Sequence, residues 1–166
     1  MNKFPLRALS GVLGGLVLCC APAQASNVLT VSITGTVITA PACTLNANTA
    51  IDVKFGSALQ TTSIDGNNYT TPVPFTLTCV GNPSSLRLRF QGTSTDFGTG
   101  VLATNFPDLG IQLLKPDSSV LAMDEWFTFA YSATPPAISA VPVKRPGTIL
   151  PGGVFNSTAT LLVEVL

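Results

Sequence analysis

Residues 28–38 read VLTVSITGTVI. Leu29, Val31, Ile33, Gly35 and Val37 fall on one face of an extended chain, and Thr30, Ser32, Thr34 and Thr36 fall on the other. Period-two alternation rich in β-branched residues is the pattern of a half-buried strand. The stretch continues to Cys43 without a clear turn signal. Strands average only ~5–6 residues, so there is enough chain here for the first part to lie outside the sheet that the second part joins.

The alternation recurs downstream. Ile51, Val53 and Phe55 form one short piece; Val73, Phe75, Leu77 and Cys79 form the next, ended by Gly81-Asn82-Pro83. Leu86, Leu88 and Phe90 repeat the pattern with Arg87 and Arg89 facing outward, followed by Leu109, Ile111 and Leu113, and then by Phe127, Phe129 and Tyr131. The last strand is expected in FNSTATLLVEV, residues 155–165. Nowhere do apolar residues recur at helical spacing for three turns. Segments 57–71 and 92–108 read as loops, and 134–153, which carries Pro135, Pro136, Pro142, Pro146 and Pro151, reads as a Pro-rich connection. Several short alternating strands make an antiparallel β-sandwich, hence an all-β fold.

The beginning of the chain is of another kind. Lys3 and Arg7 precede an apolar stretch from Ala8 to Ala21, and Ala23-Gln24-Ala25 follows. This is the pattern of a secretory signal peptide over residues 1–25, cleaved between Ala25 and Ser26. The apolar run falls short of the ~20 residues of a membrane-spanning helix. Leu18 before Cys19 departs from the small residue that precedes a lipid-attachment cysteine. Of four cysteines, only Cys43 and Cys79 remain after cleavage. In an oxidising compartment a disulfide between them is favoured over two buried thiols.

Charge and composition exclude several functions. The chain has eight basic and eight acidic residues, so no basic excess is available for nucleic acid. It has no histidine, which removes the Ser-His-Asp and Cys-His nucleophile systems, His-ligated metals and the usual general base. Asp124 and Glu125, as strand neighbours, would point to opposite faces and cannot pair for acid–base work. Asp65-Gly66-Asn67-Asn68 lacks the ligand spacing and closing Glu of a calcium loop and reads as a turn. Trp126 reads as a packing residue rather than a ligand platform. Arg87 and Arg89 read as a solvated face, with a subunit contact as the alternative. No catalytic residue, metal, cofactor or small-molecule substrate is implied.

Four features in order resemble the pilins of the chaperone–usher pathway, the subunits of type 1 and P pili. They are the alternating arm around Gly35, Cys43-Thr44-Leu45 with a partner cysteine in PFTLTC (Pro74 to Cys79), the piece IDVKFG between them, and the ending GGVFNSTATLLVEVL. The resemblance implies an incomplete immunoglobulin-like β-sandwich lacking its last strand, with an N-terminal donor-strand extension over residues 26–39 and a pilin domain over 40–166. It implies a structural, non-enzymatic subunit of a cell-surface fimbrium, exported through the periplasm, polymerising by donor-strand complementation and supporting adhesion. Its partners would be a periplasmic pilus chaperone, an outer-membrane usher and neighbouring pilin subunits. Leu29, Val31, Ile33, Gly35 and Val37 would form the donor strand. Ala159, Leu161, Val163, Val165 and Leu166 would form the strand bordering the groove and meeting the chaperone. Cys43 and Cys79 would form the disulfide. Val165-Leu166 departs from the family's penultimate aromatic. The alternatives are a tip adhesin, disfavoured because the pilin pattern begins directly after the signal, and a pilus-terminating or base subunit.

Overall fold

Turn residues cut the alternating segments into short strands that pair far along the chain. The computed structural model describes residues 31–37 and 40–166, so the expected signal peptide, its cleavage site Ala25–Ser26 and Leu29 lie outside the described residues. The chain divides after Val37 into two units. In the first, residues 31–37 belong to no strand and all are exposed, Ile33 at 90% and Val37 at 99%.

The second unit is all-β. Strand β1 (Ala42–Leu45) pairs antiparallel with β3 (Leu77–Val80), which sets Cys43 opposite Cys79. The two are joined by a disulfide with a Cα–Cα distance of 4.0 Å. A second sheet has the order β10 (Thr160–Val165), β4 (Ser85–Gln91), β8 (Phe127–Ala130). A third runs β2 (Thr71–Pro72), β9 (Ser139–Lys144), β6 (Leu109–Leu114), β5 (Leu102–Ala103), with β7 (Val120–Leu121) on β6. The inward residues Leu88 and Phe90 of β4 meet Leu102, Ile111, Leu113 and Ala140 of the third sheet in one core. This is face-to-face sheet packing, with alternate residues turned in.

Residues 134–153, expected as a connection, contain β9, a strand interior to the third sheet. Pro142 is tolerated there for a geometric reason. The Ile138 carbonyl accepts the Val73 amide, so 138, 140 and 142 turn their backbone polar groups toward β2. β2 reaches only Ser139 and Ala140. The missing N–H of Pro142 therefore faces an edge with no partner and costs no ladder bond. The expected loop 92–108 likewise holds β5, bridged to Ser94.

Candidate functional site

The last strand decides the site. β10 pairs with β4 along its whole length, from Thr160 opposite Gln91 to Val165 opposite Leu86, and among the described residues no second strand pairs with its other edge. Its neighbours Leu86 and Leu88 on β4 are fully buried at 0%. Leu161, Val163 and Val165 alternate toward the same interior but are only half-buried, because among the described residues no strand pairs with the open edge of β10. A second uncovered wall stands across from β10. Ile51, Val53 and Phe55 alternate inward and pack on the core, with Asp52 and Lys54 outward, yet residues 51–55 pair with no strand among the described residues. The turn before them, Asn46–Asn48, holds three successive positive φ angles. Such a run is costly for L-residues and is held by Asn46 Nδ2, which donates to the carbonyls of Thr49 and Ala50.

Between these walls runs an apolar groove of about 1240 Å³. Phe90, Leu102, Ile111 and Leu113 form its floor, with Leu45 and Ile51 on one side and Phe155, Ala159 and Leu161 on the other. It exceeds the ~300–1,000 Å³ usual for small-molecule pockets. Its lining offers no paired acids and no nucleophile–base couple. Phe155, five residues before β10, also lines it, and the chain from Phe155 to Val165 would match an extended segment of roughly 36 Å at ~3.3 Å per residue.

Residues 31–165 match the model of the fimbrial protein family. The chain belongs to that family. It is 35% identical over 129 residues to the fimbrial-like protein YfcR of Escherichia coli strain K12, covering 75% of this chain and 73% of the relative. Among solved structures it is similar to the P pilus adaptor subunit PapF, with 26% identity, a TM-score of 0.58, and coverage of 75% of this chain and 95% of that one. The P pilus rod subunit PapA shares the fold, with 19% identity, a TM-score of 0.55, and coverage of 82% and 100%. The sandwich is thus the incomplete immunoglobulin-like fold of pilins, and this fimbrial chain is a structural subunit and not an enzyme.

The residues singled out in the sequence take these places in the fimbrial fold. Ala159 and Leu161 line the groove, Val163 packs on the core, and Val165 is half-buried opposite Leu86. Leu166 is 57% exposed, and its amide donates to the Ser85 carbonyl. Val31, Ile33, Gly35 and Val37 lie in the first unit, all exposed. Asp124 and Glu125 sit in a turn rather than a strand; Asp124 has a φ of +63° and Glu125 accepts from Lys115 Nζ. The Lys115 hydrogen bond holds the Glu125 carboxyl below its ordinary pKa. Asp65 accepts from the amides of Asn67 and Asn68, which lower its pKa in the same way. Trp126 has its ring covered by the guanidinium carbons of Arg87 and Arg89, 4.3 and 4.5 Å from its centroid, so it is no open platform. Sequence reasoning marked Leu109 as inward but missed Phe106 and Leu150 at the same end of the groove. Phe106 and Leu150 lie outside the strands, where there is no periodicity to read.

Proposed function

We propose that this subunit polymerises by donor-strand complementation, its groove taking the alternating arm, residues 26–39, of a neighbouring subunit. One observation carries the reading: a strand-length apolar groove lies between two segments, residues 51–55 and β10, whose facing edges pair with no strand among the described residues. Such edges call for another strand, and strand addition satisfies both backbone and side chains. The arm has the matching form. Val31, Ile33 and Val37 are fully or largely exposed, at 70%, 90% and 99%, and cost free energy until covered. In the same reading, residues 1–25 direct export, a periplasmic chaperone fills the groove before assembly, and an outer-membrane usher passes the subunit to the fibre that supports adhesion. The higher identity to the adaptor PapF, 26% against 19% for the rod subunit PapA, supports a minor position in the fibre.

The test is Gly35→Leu. A Cβ at Gly35 meets nothing within 4 Å, so its own subunit should fold with unchanged stability. In a neighbour's groove the added bulk overpacks a filled site, at about 1–3 kcal/mol. A peptide of residues 26–39 with Gly35→Leu should bind the acceptor roughly 5- to 150-fold more weakly than the wild-type peptide. Equal binding removes Gly35 from the donor role. Failure of the wild-type peptide to bind removes the whole reading.

A further inference from the structure

Loops line one end of the groove, and side chains tie them at two places: Asn105, whose Nδ2 donates to the Val154 carbonyl and whose Oδ1 accepts the Asn156 amide, and Arg145. Phe106 and Leu109 come from the loop before and the start of β6; Leu150 and Phe155 come from the chain between β9 and β10. Arg145, just past β9, reaches both. Its Nε donates to Asp108 at 2.6 Å and its Nη2 to Asp96 at 2.5 Å, while its backbone amide donates to the Asp108 carbonyl. Its own carbonyl accepts from the amide and hydroxyl of Thr148, two residues before Leu150. Its guanidinium also lies 5.0 Å from the Phe97 ring. The Asp108 hydrogen bond, with that of Asp96, holds the guanidinium above its ordinary pKa.

Resting on the donor-strand reading above, we propose that Arg145 is a positioning residue that fixes the closed end of the groove and so sets selectivity for the outermost apolar side chain of the incoming arm. The argument is one of reach. Of the two carboxylate partners of Arg145, Asp108 lies between Phe106 and Leu109 and Asp96 lies ten residues before Phe106, so together they tie residues 96–108 to the chain that carries Leu150. Two bonds from one planar fork fix an orientation that a lysine ammonium cannot. Without the Arg145 side chain, Phe106 and Leu109 are held to that chain only by the Asn105 bonds and the backbone amide of residue 145, and the terminal pocket loses its fixed shape while the floor built by β4, β6 and β9 remains.

The experiment uses the secreted chain, refolded with its disulfide intact in excess synthetic peptide of residues 26–39. Affinity is read from the rise in melting temperature with peptide concentration. Four peptides are compared: wild type, Leu29→Ala, Ile33→Ala and Val37→Ala. On the wild-type subunit each truncation of a buried apolar side chain should weaken binding roughly tenfold or more. On Arg145→Gln the penalty for one terminal residue, Leu29 or Val37, should shrink to about twofold or less, while that for Ile33 stays unchanged. Arg145→Lys should behave like Arg145→Gln. If Arg145→Gln weakens all four peptides by one common factor, or changes none, the inference is overturned. If Arg145→Gln does not fold, Asp96→Asn, which removes one tie and keeps Asp108, must show the same selective loss or the inference fails. No binding of wild-type peptide to wild-type subunit overturns the donor-strand reading itself, whereas normal binding with unaltered selectivity overturns only the role of Arg145.

Discussion

In the proposed assembly Ile33 has two environments, exposed in its own chain and covered in a neighbour's groove. At 90% exposure in its own chain, Ile33 contributes almost nothing to that chain's stability. Replacing it with Ala should leave the melting temperature of the subunit unchanged. In an acceptor groove floored by Phe90, Leu102, Ile111 and Leu113, the same change removes three buried carbons. At ~0.8 kcal/mol per CH₂ the loss is about 2.4 kcal/mol. Since each ~1.4 kcal/mol is a factor of ten, affinity for the groove should fall roughly 50-fold. A residual cavity would add to this, because surrounding side chains collapse only in part. The assay titrates wild-type and Ile33→Ala peptides of residues 26–39 into the subunit and compares dissociation constants. A difference below about threefold would refute the idea that this face of the arm is buried in the groove. A drop in the subunit's own melting temperature would refute it from the other side, by showing that Ile33 already packs at home.

Two further outcomes concern the subunit alone. The Cys43–Cys79 bond closes a loop with a sequence separation of 36; replacing both with Ser should cost about 4 kcal/mol in the chain-entropy model, and a loss below about 1 kcal/mol in denaturant melts would show that the bond is not constraining the unfolded chain. The Asp65 carboxyl sits below its ordinary value of 3.8 because the Asn68 and Asn67 amides donate to it. A lowered folded pKa means stability that is full above 3.8 and fades as pH falls through the lowered value. Asp65→Asn should therefore melt below wild type at neutral pH, with the gap closing in strong acid; a gap that persists there would assign the effect to something other than the carboxylate charge.

Alternation along the chain determined which side chains face inward, because the period of two is a property of the extended backbone and needs no partner. It made the chain all-β and marked Leu86, Leu88 and Phe90 as core. It marked Leu161, Val163 and Val165 as inward and Leu29 to Val37 as an apolar face long enough to stand apart. The two cysteines left after the expected cleavage indicated the disulfide. Period alone says nothing of which strand lies beside which. That β10 pairs with β4 on one side and with no second strand among the described residues is a fact of long-range pairing, and the groove follows from it. Pro142 shows the same limit. Its residue type argues against an interior strand, and only the register, which turns its nitrogen to an edge that β2 does not reach, makes it harmless. The end of the groove was out of reach for a related reason. Arg145 meets Asp108 and Asp96 across 37 and 49 residues, and such polar ties depend on where loops are carried by the sheets beneath them. Local sequence fixes backbone period; the closure of two sheets fixes neighbours, and neighbours make the site.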